Sequence, residues 1–531
     1  MQLNPFEIKS EILSIINDCA GETNPLVLNE RVKKLDELED TLPIEKILFK
    51  ELLNAKASKE GIIRFLLQRY VPKEHLISQL WNILKNNMTS SEVKIIVLSY
   101  LRELETDWKY EDFETALGDD VDIIDNDTKN LLNQAIVNPE VQIDFLDFLS
   151  SVDSKDKLLL VKSLGEDYSE DALANILLPV FLSQPDSEIG KEALNILGTS
   201  RSQLAYHSLN IAYDTLPEGL KPLVKKNLNL LKLSGVREID SIEFYKNILS
   251  DSRPYRCCAT YPDGHGNQAL IFSRTNHDKR VKFVAIVMND YTGIRDCFGF
   301  NDISEFECDK IIERFYKDEK NIPFTPRVLK TLLNFGESIS KTSTSNWLLP
   351  YEYVCWKNLL SDIDAPNINF EKYLAQNLPH KKLQKSDLEV LYNADFMEHW
   401  FLDSAYSSEF EEFLAYCDSN VLGNEFDFDN VIDENLDKIF YIDEYNVWKN
   451  RLLTCAYMAL NDGKLIVAEI LFNLYYDNEL FREFLKNILR RSVYEYYFSL
   501  KFNTEENQNK FTLEQLDGII SVIESNWVKN A

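Results

Sequence analysis

Val281-Lys282-Phe283-Val284-Ala285-Ile286-Val287-Met288 is the stretch that decides the fold. Seven of its eight residues are apolar and only Lys282 interrupts them. A run this short, rich in Val, Ile and Phe and closed by Asn289-Asp290-Tyr291-Thr292-Gly293, suits a strand covered on both faces at the centre of a sheet. Two further β-type runs precede it, at 255–259 and 268–275. The connections 263–267 and 276–280 are built from residues that tolerate turn dihedrals and are too short for a parallel crossover, which predicts an antiparallel meander. Downstream, Ser304 and Glu307 form a capping box, and Cys308, Ile311, Ile312 and Phe315 recur at i, i+3, i+4, i+7. That stripe predicts a helix laid over one face of the sheet.

Outward from this module the chain reads as helix. Residues 1–252 form an N-terminal helical repeat region, 253–322 the small α+β module, and 323–531 a C-terminal helical region containing an acidic segment at 391–450. Ile62, Leu66, Leu67 and Tyr70 illustrate the apolar stripes of the first region. Thr325 as N-cap with Pro326 at the first helical position opens the third. A strongly aromatic face, Trp347, Tyr351 and Trp356, follows. Near the end, Val467, Ile470, Leu471 and Leu474, then Phe481, Phe484, Leu485 and Ile488, predict two helices paired across Asp477-Asn478. The segment 391–450 carries 15 Asp or Glu against Lys438 and Lys449, a local charge of -13, and reads as an acidic surface. Within it, Glu425-Phe426-Asp427-Phe428-Asp429 reads as a solvated linker with two anchoring Phe residues.

The whole chain of 531 residues has a net charge of -30, which disfavours broad contact with nucleic acid or anionic lipid. The N-terminus shows no basic segment followed by an apolar stretch, and the longest uncharged run, 172–184, is too short for the roughly 20 residues that span a bilayer. A cytoplasmic location without membrane contact is therefore expected. The eight cysteines are scattered in apolar surroundings, which reads as reduced, buried thiols.

From 154 onward the sequence repeats itself. Leu160-Val161-Lys162-Ser163-Leu164-Gly165, Leu194-Asn195-Ile196-Leu197-Gly198-Thr199 and Leu228-Asn229-Leu230-Leu231-Lys232-Leu233 place Leu164, Leu197 and Leu231 at offsets of 33 and 34. A small residue returns where adjacent helices must approach. Over about 60–250 this resembles HEAT-like or related α-solenoid repeats. The resemblance implies a stacked superhelix whose surface binds another macromolecule. The fold class that follows is mainly α, with α-solenoid-like arms flanking a small antiparallel sheet plus helix.

Several chemical motifs fail on physical grounds. Gly264-His265-Gly266-Asn267-Gln268-Ala269 has the glycine spacing of a pyrophosphate loop, but a strand follows it where a helix N-terminus is required. The acidic run 118–127 fails as a calcium loop, with Asp125 where Gly and Leu131 where Glu is needed. A zinc site from His265, His277, Cys257, Cys258, Cys297 and Cys308 is disfavoured, because successive turns of a meander lie at opposite ends of the sheet. A Cys297–His265 nucleophilic pair lacks an orienting group. No cofactor or metal is expected. The candidate surface is the sheet end carrying the first and third turns, where His265, Asp290, Tyr291, Arg295 and Asp296 converge. Its charge from 251 to 300 is mildly basic, seven Arg or Lys against five Asp, so it suits an anionic ligand or the chain's own acidic segment. The functional expectation is a non-catalytic scaffold engaging a protein partner. The alternative is a hydrolase or nuclease-like module using His265, Asp290 and Asp296.

Overall fold

A computed structural model describes residues 5–19, 25–36, 42–53, 59–86, 89–104, 134–135, 138–152, 154–167, 170–213, 216–315, 321–343, 349–423, 426–503 and 510–528. The acidic run 118–127, Trp347 and Glu425 lie outside them. Two compact units result, 1–133 and 134–531.

The first unit is helical where described. Its core gathers Ile12, Leu48, Leu66, Leu80 and Val97, and the stripe Ile62, Leu66, Leu67 and Tyr70 is buried as its spacing requires. Arg69 grips Asp36 through two bonds of 2.8 and 2.7 Å, and Tyr70 donates to the same carboxylate.

The second unit is built around one antiparallel sheet, strand order β4-β3-β2-β1-β5. The strands are β1 (Ser252–Ala259), β2 (Asn267–Asn276), β3 (Arg280–Asn289), β4 (Gly293–Ser304) and the two-residue β5 (Ile322–Pro323). The meander is as predicted, with β2 and β3 in continuous register from Asn267↔Asn289 to Thr275↔Val281. β3 is an interior strand, although β2 takes the middle of the five. Alternate β3 residues go to opposite faces, as a period of two demands. Val281, Phe283 and Ala285 join Cys258, Ile271 and Cys308 beneath the Glu305–Phe315 helix, with Ile311 and Ile312 packed alongside. On the other face Gly336 of the Pro326–Ser343 helix approaches Ile294 and Met288, and Gly299 of β4 has no room for a Cβ beside Trp356. Both helix starts form as read: Glu307 accepts from Ser304 N at 2.7 Å, and Thr325 Oγ1 accepts from Val328 N at 3.4 Å.

Before the sheet, helices lie in two rows. Ser154–Asp167 packs on Glu188–Thr199, which packs on Lys221–Leu233; Glu170–Ser183 packs on Gln203–Ala212, which packs on Ser241–Ile248. Leu164, Leu197 and Leu231 fall on the three helices of the first row and all are buried. Gly198 sits where a Cβ would overlap Asn227 Oδ1, and a Cβ on Gly165 would lie 3.2 Å from Ile196 Cγ2. The same C-terminal cap recurs: Ser200 Oγ donates to Leu197 O and Ser234 Oγ to Leu231 O, both at 2.7 Å.

After the sheet, acids of the acidic segment pair with the chain's own bases. Asp429, Asp433 and Asp437 of the Phe428–Ile439 helix face Arg490, Lys486 and Arg482 of the Asn478–Phe502 helix, at 2.9 and 2.5 Å for the first two pairs. Asp427 caps the acidic helix and Phe428 is buried, so where described this part of the predicted linker is a helix start. The Leu465–Leu474 helix lies mainly along Ile442–Asn461, while Asn478–Phe502 packs chiefly on Phe428–Ile439 and Leu513–Val528.

Candidate functional site

The predicted turns do meet. Asp263 Oδ1 accepts from His265 N at 2.9 Å and Asn267 N at 2.8 Å, and Gly266 completes the turn at φ +80°. Asn289 Oδ1 accepts from Tyr291 N at 2.9 Å, and its Nδ2 donates to His265 O at 2.9 Å. Asp290 N donates to Gly266 O at 3.0 Å, so the two turns are sewn together through backbone and amide groups.

The five candidate residues then separate. Asp290 is 4% exposed and accepts from Arg451 Nε at 2.5 Å and Nη2 at 3.1 Å. Arg451 Nη1 donates to Gly264 O at 2.7 Å, and its guanidinium lies over Trp448 at 4.3 Å. Burial pushes the Asp290 carboxyl up, and Arg451 offsets only part of that rise. His265 Nε2 accepts from Asp403 N at 3.3 Å and lies 3.2 Å from its carboxylate. The segment carrying Asp403 covers the first turn: Gly264 N donates to His399 O, and Trp400 Nε1 donates to Pro262 O. Tyr291, Arg295 and Asp296 stay exposed. Asp296 accepts from its neighbour Cys297 N, and Arg295 lines a separate cleft of about 440 Å³ with Ser183, Gln184, Tyr351 and Glu352. The structure therefore joins His265 and Asp290 and leaves the other three outside their network.

Arg451 is the residue that sequence reasoning missed. Its one signal was position, a cation directly ahead of the run Leu452-Leu453-Thr454-Cys455-Ala456 in a buried helix. At Asp290 the charges run the other way from a basic module meeting acidic partners, since a carboxylate of the module receives an arginine from the C-terminal region.

Buried ionisable groups also lie on the far face of the sheet. Glu337 takes a hydrogen bond from Tyr353 at 2.7 Å and pairs with Lys357 at 3.0 Å. Burial pushes the Glu337 carboxyl up, but Lys357 and Lys330 outweigh it and hold the group below its ordinary range. Burial pushes Lys330 down to about 8. Arg274, 3% exposed, pairs with Asp362 at 2.9 Å. These groups neutralise one another within the packing of the sheet on the helices.

The thiols give no nucleophile. All eight are free and seven are buried; burial raises Cys257, the partly exposed one, to about 12 and Cys297 well above the ordinary thiol range. His265 and His277 lie on successive turns at opposite ends of β2. Among the described residues no group of three His, Cys, Asp or Glu is placed to hold a metal ion, and no helix is long and apolar enough to cross a membrane. No family model, curated protein or solved structure matches the chain.

Proposed function

We propose that residues 154–248 form a helical-repeat scaffold for a protein partner, braced by the sheet module. The observation that carries this is the coincidence of period and packing: the spacing of 33 and 34 residues falls on three helices that pack in succession, with a buried leucine on each and the same serine cap on the second and third. His265 and Asp290, the polar groups a catalytic site in the module would use, are engaged by the C-terminal region. The module then serves to fix the array to the C-terminal helices.

The test uses the intact chain with a photo-crosslinking side chain in place of Leu159, which is 65% exposed on the first helix of the array, or in place of Tyr291, 59% exposed on the module. Illumination in an extract of its own cells should give protein adducts from position 159 and not from 291. Adducts from 291 alone would sink the scaffold reading.

A further inference from the structure

The Lys221–Leu233 helix ends its row, and its two sides differ. Val224, Asn227, Leu228 and Leu231 are buried, whereas Lys225, Lys226, Leu230 and Leu233 face outward, with Leu230 37% and Leu233 84% exposed. From 221 to 237 the chain carries Lys221, Lys225, Lys226, Lys232 and Arg237 and no acidic residue, within a molecule of net charge -30. Lys221 pairs with Glu218 at 2.6 Å and Lys232 with Glu238 at 3.0 Å. Among the described residues none forms an ion pair with Lys225, Lys226 or Arg237. Lys226, Leu230 and Leu233 lie at i, i+4 and i+7, so cation and apolar surface share one stripe.

We infer that this stripe docks an acidic amphipathic segment of a partner protein, with carboxylates against Lys225, Lys226 and Arg237 and apolar side chains against Leu230 and Leu233; the inference rests on the scaffold reading. Charge complementarity selects that occupant. The acidic remainder of the chain repels an extended polyanion or an anionic bilayer, while a short acidic segment meets only the local positive stripe. A phosphate backbone satisfies the lysines but leaves the two leucines in water, and an amphipathic peptide covers both. The helix is already fixed by its buried side, so docking orders nothing on this side of the interface except side chains.

Fluorescence anisotropy on the full chain tests it, with a labelled helical peptide bearing Glu on one face and Leu at i, i+4 and i+7. Polyglutamate of equal length, single-stranded DNA and phosphatidylserine vesicles are the competing probes. The amphipathic peptide should bind tightest, and both K225E/K226E and Leu230→Ser/Leu233→Ser should weaken it by roughly tenfold or more. The substituted side chains are exposed, so an unchanged circular dichroism spectrum is expected. Binding that ignores both double substitutions, or that favours DNA or vesicles, overturns the proposal. Photo-crosslinkers at Leu159 and Leu233 separate the two readings. Protein adducts at 159 without any at 233 leave the scaffold and remove this docking stripe; adducts at neither remove both.

Discussion

Two charged regions of the second unit handle their cations in opposite ways. At the turn end of the sheet, Arg451 and Asp290 are 2% and 4% exposed and spend every strong contact on the chain itself. On the Lys221–Leu233 helix, Lys225 and Lys226 stand in solvent beside the exposed leucines Leu230 and Leu233. A buried ion pair gives little net stability over an apolar substitute, yet breaking it leaves a charge stranded. An exposed cation contributes little to the fold and stays accessible to another molecule. The lesson is that the region richest in candidate polar residues is a joint, and the region with the simpler composition is the open surface.

The largest test of that contrast is Arg451→Met. It strips Asp290 of its counterion and Gly264 O of its donor, and should cost about 3–5 kcal/mol in urea unfolding of the intact chain. Asp290→Leu added to it should recover part of the loss. A cost below about 1 kcal/mol would break the comparison, because the turn end would then be no joint.

Within the array, Gly198→Ala should cost about 1–3 kcal/mol, since its Cβ overlaps buried Asn227. Gly165→Ala meets only Ile196 at 3.2 Å and gains helix propensity, so its effect should stay within about 0.5 kcal/mol. Equal effects at the two glycines would show that successive helices of the row do not approach each other as described.

Lys330 sharpens the picture of charge buried behind the sheet. An unfolded lysine holds its proton to about 10.5, whereas this one releases it from about 8. Between those values the unfolded chain binds more protons, so this residue's contribution to stability rises with pH across that window. Lys330→Met should flatten the rise, and the gap between variant and parent should change by about 2 kcal/mol from pH 8 to 10 in unfolding curves.

The smallest effect belongs to Asp403→Ala. Asp403 is 57% and His265 29% exposed, so losing their pair should cost under about 0.5 kcal/mol. A larger loss would extend the joint from Arg451 to the histidine side of the turn.

The sequence made the meander legible because β3 combines an apolar run with turn-forming neighbours, and it made both helix caps legible through Ser304, Glu307, Thr325 and Pro326. β4 escaped, since Asp296, Gly299 and Asn301 interrupt its alternation and only pairing with β3 holds it extended. The meeting of His265 with Asp290 followed from topology. Their capture by the C-terminal region did not, because it depends on Asp403 and Arg451, which lie 138 and 161 residues away. The acidic segment likewise read as surface, because the bases that pair with it stand one turn apart on a helix much later in the chain.

The span from Asp290 to Arg451 also sets a schedule for synthesis. At the usual 5–20 residues per second, a ribosome that has just released the third turn needs roughly 8–30 s to add the 161 residues that bring the arginine. Through that interval the nascent module holds a carboxylate whose only adequate partner has not been made, so the acid stays hydrated and the turn end stays open. The corner at Asp290 is thus completed by a helix from the final quarter of the polypeptide.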